Sequence, residues 1–227
     1  MYTVGAAMIF AAFSRVCGTL VALADRTVFF RFGGIMRIII GLGNPGEKYA
    51  HTRHNAGFDT LDILSVRLNI PIKKLKFQAT IGEGLIGTER VVLIKPQTFM
   101  NLSGMTVSEA LNWYKIEPRD VLLIVDDIDL PFGQVRLRAK GGPGTHNGLR
   151  SIVQYTASGD FPRIRIGMGT PPPEWDLADY VLGHFDTQEA RETAFNAYQL
   201  AADAAICWAE HDIDKAMNEY NRKPQNA

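Results

Sequence analysis

MRIIIGLGNPGEKYAHTRHNAGF, residues 36–58, decides how the rest of the chain is read. The apolar run Ile38-Ile39-Ile40 stops abruptly at a glycine-rich turn. An uninterrupted run of this length, bounded by turn residues, reads as a strand buried on both faces. The turn delivers Asn44 and Pro45, and His54 and Asn55 follow before a segment with helical apolar spacing. Imidazole and amide groups cannot be left inside a core without partners. They belong at the end of the strand, where loops meet solvent and ligands.

Beyond this stretch, strand-like and helix-like segments alternate. Residues 37–42 read as a buried strand. Residues 56–69 read as an amphipathic helix that Pro71 ends. Residues 78–85 and 90–94 are short strands joined by a turn containing Gly87. Residues 103–114 read as a helix, with Thr106-Val-Ser-Glu109 fitting a capping box and Ser103 placed to cap. The run 121–125 reads as a central strand, and 135–138 and 163–168 alternate as strands. Helices are expected over 147–156, 187–207 and 212–219. This order predicts a single α/β domain, a twisted, mostly parallel mixed sheet flanked by helices.

The 227 residues suffice for one domain with a sizeable core, and 46% hydrophobic with 21% charged residues is a globular composition. Formal net charge is zero, which excludes a uniformly basic coat but permits a local basic patch. Cys17 and Cys207 are the only cysteines. They supply no disulfide framework and no cysteine zinc site, which points to a reducing cytoplasm. Residues 1–35 differ from the rest. They are apolar and small-residue-rich, with Arg15, Arg26 and Arg31 against Asp25. Arg15 interrupts any membrane anchor, and an organelle transit peptide fits in part. The simplest reading makes Met36 the true start, with 1–35 an extension ahead of a domain over 36–227.

Several groups of residues can carry chemistry. Gly41-x-Gly43-x-x-Gly46 matches the dinucleotide fingerprint, but Pro45 removes an amide and Glu47-Lys-Tyr-Ala-His-Thr52 intervenes before the helix. The glycines are expected instead to let the backbone turn and a substrate approach. His54 is the best candidate base, since an imidazole moves protons near neutrality. Asp126, Asp127 and Asp129 stand at the exit of a buried strand, and one of them hydrogen-bonded to His54 would fix its tautomer. Residue chemistry does not choose among the three. Asn44, Asn101 and Asn147 sit in loops beside regular elements, offering uncharged donors and acceptors for a peptide bond or an oxyanion. No nucleophile elbow is present, so an activated water is the default nucleophile. No metal site is expected, because His51-x-x-His54 lacks an obvious third ligand. Arg136 with Arg138, and Arg163 with Arg165, share strand parity and can form a phosphate-binding stripe near the glycine loop at 141–144.

GLGNPGEKYAHTRHNAGF, KPQTFMNLSG, DDIDLPFGQVRLRAKGG, THNGLRSI, FPRIRIGMG and YVLGHF resemble, in order, the motifs of bacterial-type peptidyl-tRNA hydrolases. The resemblance runs from Met36 to about residue 222. It implies a single α/β domain that hydrolyses the ester between a peptide and the 3′ end of tRNA, with no cofactor. It implies a monomer whose partner is peptidyl-tRNA, with no membrane association and no stable protein partner. It places the catalytic histidine on His54, the acid partner on Asp126, and discrimination between blocked and free aminoacyl-tRNA on Asn44. Substrate or tRNA contacts fall on Tyr49, Phe99, Asn101 and Asn147, and a phosphate clamp on Arg138 and Arg165. The chain departs from the family at Gly144-Thr145, usually Gly-Gly, and at Pro143, which stiffens the loop. Two rivals follow: a catalytically silent RNA-binding member of the same fold, and a dinucleotide-dependent oxidoreductase.

Overall fold

The computed structural model describes residues 36–221; the expectations for residues 1–35 lie outside the described residues. In chain order the elements are β1 (Met36–Gly41), α1 (Ala56–Arg67), β2 (Lys74–Lys76), β3 (Ala79–Ile86), β4 (Glu89–Pro96) and α2 (Ser103–Tyr114). They continue with β5 (Val121–Asp127), β6 (Val135–Arg138), α3 (Asn147–Thr156), β7 (Arg163–Gly167), α4 (Leu177–Leu182), α5 (Gln188–Glu210) and α6 (Ile213–Tyr220).

The strands form one sheet of order β2-β3-β4-β1-β5-β7-β6. Its centre, β4-β1-β5-β7, is parallel, and the outer pairings are antiparallel. Helices cover both faces, which explains why the central strands are apolar at consecutive positions. Ile39, Leu122 and Ile124 pack with α1 and α5 on one face. Ile38, Ile40, Leu123 and Val125 pack with Val107 of α2 and Leu149 and Ile152 of α3 on the other. Ile38, Ile39 and Ile40 are wholly buried, each contributing roughly 2–3 kcal/mol of transfer free energy. The alanines of α5 (Ala194, Ala197, Ala201, Ala204 and Ala205) are buried against the sheet, so the helix lies close to it.

Two local expectations need correction. Thr106 is not an N-cap. It lies inside α2, buried, and its hydroxyl donates to the Phe77 carbonyl at 2.9 Å. Ser103 does not cap either. Its hydroxyl donates back to the Met100 carbonyl at 2.9 Å, and a 3-10 turn over Met100–Leu102 leads into the helix. The short β2 and α4 carry too few residues for a periodic signal and are visible only in the structure.

The chain leaves β1 toward α1 on one face and leaves the adjacent β4 toward α2 on the other. Where neighbouring parallel strands diverge in this way, a crevice opens beyond their carboxyl ends.

Candidate active site

That crevice is a cavity of about 740 Å³. The walls carry Asn44, His54, Asn101, Asp126, Arg138, His146, Asn147 and Arg165. Loops from β1, β4, β5, β6 and β7 therefore bring together most residues singled out in the sequence.

The turn after β1 is held against α1 by backbone contact. A Cβ on Gly41 would lie 2.2 Å from the Gly57 carbonyl, and one on Gly57 would lie 2.4 Å from the Leu42 amide. A Cβ on Gly43 would meet the Phe58 ring at 2.7 Å. The expectation that these glycines admit a substrate is corrected at Gly41 and Gly43, which admit the chain's own helix. Gly46 is different: its φ of 105° lies in the region that favours glycine.

This close packing delivers a 3-10 turn, Arg53–Asn55, at the mouth of β5. His54 Nδ1 sits 2.8 and 2.9 Å from the two carboxylate oxygens of Asp126. Both side chains are buried. Because the carboxylate accepts, Nδ1 carries the proton and Nε2 keeps its lone pair. Burial alone would lower the His54 pKa, but the charge and hydrogen bond of Asp126 outweigh it and raise the value above 6.5. Burial alone would raise the Asp126 pKa; facing His54 and His146, the carboxyl falls well below the usual range instead.

His146 is the residue that sequence reasoning missed. Its Nδ1 accepts from the amides of Gly148 and Leu149 at 3.1 and 3.3 Å, capping α3. Its Nε2 stands 3.2 Å from Asp126 Oδ1. The cap uses the Nδ1 lone pair, so the proton sits on Nε2 and donates to Asp126. Asp126 thus accepts from two imidazoles whose rings lie 5.0 Å apart. His54, Asp126 and His146 offer ligand atoms close enough together for a metal ion. The tautomers argue against that use. A cation on His146 Nε2 would drive its proton to Nδ1, against two amide donors, and break the cap.

Asn44 is buried and fixed on three sides. Its Oδ1 accepts from the Met100 amide at 2.8 Å, tying the β1 loop to the β4 loop. Its amide donates to Asn55 Oδ1 at 2.8 Å, and Asn55 Nδ2 donates back to its carbonyl at 3.0 Å. The Met100 contact sets the orientation of the Asn44 amide, leaving Nδ2 as the donor available to a ligand. Asn55 was visible in the sequence beside His54, but nothing there marked it as the brace for Asn44. Asn101 and Asn147 are exposed at the cavity wall. Tyr49 and Phe99 do not line the cavity; their rings pack edge to face, 6.3 Å apart, with Phe99 exposed beside Met100.

Arg138, Arg163 and Arg165 all line the cavity, but Arg163 does not fit the phosphate-binding stripe expected of it. Arg163 is buried, and its guanidinium donates to the carbonyls of Gly141, Gly142, Gly159 and Phe161 at 2.8–3.2 Å. It anchors the glycine loop with four of its five N–H donors, which leaves no oriented pair for phosphate.

The family model described as peptidyl-tRNA hydrolase matches residues 38–227. The chain belongs to the peptidyl-tRNA hydrolase family. A peptidyl-tRNA hydrolase of Brevibacillus brevis is 48% identical over 186 residues, 82% of this chain and 98% of that protein. One from Alkaliphilus oremlandii is 49% identical, over 82% of this chain and the whole of that protein. The crystal structure of the peptidyl-tRNA hydrolase from Acinetobacter baumannii superposes with a TM-score of 0.77 at 36% identity. That match covers 82% of this chain and 94% of that one. For a member of this peptidyl-tRNA hydrolase family, the cavity at the ends of β1 and β5 is the natural place to seek the chemistry.

Proposed function

We propose that this protein hydrolyses the ester joining a peptide to the 3′-terminal ribose of tRNA, with His54 as general base. The observation that carries this reading is the buried His54–Asp126 pair, whose Nε2 lone pair faces a cavity that Asn44, Asn101 and Asn147 also line. Asp126 orients the imidazole. Nε2 takes a proton from water, and the resulting hydroxide attacks the ester carbonyl. Amide donors, Asn101 among them, stabilise the oxyanion. Collapse expels the ribose oxygen, which recovers the proton from His54, and no covalent intermediate forms.

Asn44 supplies the selectivity. Its available Nδ2 is a donor, and an N-acylated amino group presents a carbonyl to accept from it. A free ammonium presents only donors, and donor facing donor is unfavourable. Asn147 holds the peptide beside it. Tyr49 and Phe99 contact substrate outside the cavity, and Arg138 and Arg165 bind tRNA phosphate. Residues 36–227 form the hydrolase domain, with 1–35 an extension dispensable for catalysis. The enzyme acts as a cytoplasmic monomer that recycles tRNA from dropped peptidyl-tRNA. No helix among the described residues is long and apolar enough to cross a membrane.

The test follows release of the acyl group from N-acetyl-aminoacyl-tRNA beside an unacetylated control. The full chain, a chain beginning at Met36, and the His54→Ala variant are compared. Cleavage of the acetylated substrate alone, retained from Met36 and lost in the variant, is the expected result. Near-wild-type turnover by His54→Ala would refute the mechanism. Binding of tRNA without cleavage would favour the silent RNA-binding reading.

A further inference from the structure

Asp127 and Arg165 form a pair that the mechanism above does not use. Asp127 is the last residue of β5, next to the catalytic acid but facing the opposite side of the strand. Both of its carboxylate oxygens are engaged. Oδ1 accepts from the Asp129 amide at 2.9 Å, and Oδ2 accepts from Arg165 Nε. Arg165 sits on β7, in register with Val125 on one side and Arg136 on the other. It shares the cavity wall with Arg138 and Lys140.

The contrast with Arg163, two residues earlier on the same face, is informative. Arg163 spends its guanidinium on backbone carbonyls. Arg165 is held by its Nε alone, and its two Nη groups make no hydrogen bond within the described residues. A guanidinium held at Nε has its plane set, with the Nη pair left as the recognition edge. We propose that Asp127 is a positioning residue that pre-sets Arg165 to receive a tRNA phosphate on its Nη edge. This rests on the reading of Arg165 as a phosphate contact. Holding the long side chain in place before RNA arrives removes ordering cost from binding.

A carboxylate beside a phosphate site also has an opposing effect, because its charge repels the ligand. The two effects predict opposite signs, which makes the inference testable. Asp127→Asn removes the charge, and its single oxygen can replace only one of the two carboxylate oxygens that now accept, the other position becoming a donor NH2. If positioning dominates, KM for N-acetyl-aminoacyl-tRNA rises about fivefold to tenfold, as loss of one oriented phosphate contact would give. If Asp127 matters only through its charge, KM falls. Asp127→Glu, which restores a carboxylate, recovers part of the loss.

Three controls separate the possible failures. Arg165→Ala must itself raise KM; an unchanged KM would sink the phosphate reading. In the Arg165→Ala background, Asp127→Asn should add nothing, since the two residues act as one unit. A persisting effect there overturns the positioning role. N-acetyl-aminoacyl-adenosine, which lacks the tRNA phosphates, should show no comparable change. An equal loss on that substrate would mean Asp127 acts through its neighbour Asp126, and the inference fails.

Discussion

At the residue scale, His146 performs two tasks with one ring, and they can be separated. Asparagine at that position retains a capping oxygen for the α3 amides but cannot supply the Nε2–H donor to Asp126. His146→Asn should keep thermal stability close to wild type while lowering kcat at least tenfold, because His54 then relies on a less constrained carboxylate. His146→Ala should lose the activity and also about 1 kcal/mol of stability. Equal activity in wild type and His146→Asn would remove His146 from the positioning network. The pH profile tests the other imidazole. The base must be neutral, so kcat/KM should rise with pH through a His54 value held above 6.5 by Asp126 against the lowering effect of burial. Asp126→Asn leaves burial to act alone, and the acidic limb should move to lower pH as the rate falls. A limb that stayed in place would assign the titration to another group. The raised value also means that the pair's stabilisation is full below the unfolded value of about 6.5 and is lost as pH rises through the folded one. His54 was legible from the sequence because it stands behind a strand and a glycine turn. His146 was not: it lies in a glycine-rich loop, and its capping role emerges only when α3 is docked against β5.

At the scale of elements, the decisive contact is β1 against α1. Gly57→Ala would place a Cβ 2.4–2.5 Å from the Leu42 amide, just beyond β1, and the Ile124 carbonyl of β5, which are hydrogen-bonded to each other and cannot move aside. The expected cost is about 3 kcal/mol, with activity lost in proportion as the turn bearing His54 is pushed outward. Denaturant unfolding beside turnover checks both. Asp59, in the first turn of α1, offers a contrasting test. Burial pushes its carboxyl up to about 6, with His51, 3.2 Å away, partly opposing the rise. A carboxyl raised in the fold stabilises below its unfolded value of about 3.9, and that contribution is lost as pH rises through 6. Asp59→Asn should therefore gain on the order of 1–2 kcal/mol at pH 8 relative to wild type and little at pH 4. A gain independent of pH would point to packing. The strands and long helices were readable from periodicity alone, because burial on both faces makes β1 and β5 continuous apolar runs. Local chemistry was less legible where tertiary contacts override it. Thr106-x-x-Glu109 has a capping spacing, yet the Phe77 carbonyl claims the hydroxyl. Strand parity placed Arg163 and Arg165 on one face, but parity carries no information about which guanidinium a loop will consume.

At the scale of the whole molecule, a formal charge of zero and the binding of a polyanion are compatible only if charge is segregated. The cavity wall is mixed: Arg138, Lys140, Arg163 and Arg165 share it with Asp126, Asp127, Asp129 and Asp176, which leaves few cations without a local counter-charge. Few phosphates can then be contacted, which sets a modest salt dependence. With two or three contacts at about 0.7–0.9 released counterions each, log(kcat/KM) for N-acetyl-aminoacyl-tRNA should fall against log salt with a slope of about −1.5 to −2.5. Arg138→Ala should reduce the magnitude of that slope by about 1, and the phosphate-free adenosine ester should show almost none. A steep slope, about −5 or beyond, would require many more contacts than this wall offers and would place the main RNA interface elsewhere on the protein. A flat slope with intact turnover would mean that the acyl-adenosine end alone is recognised, leaving Arg138 and Arg165 without the role proposed for them.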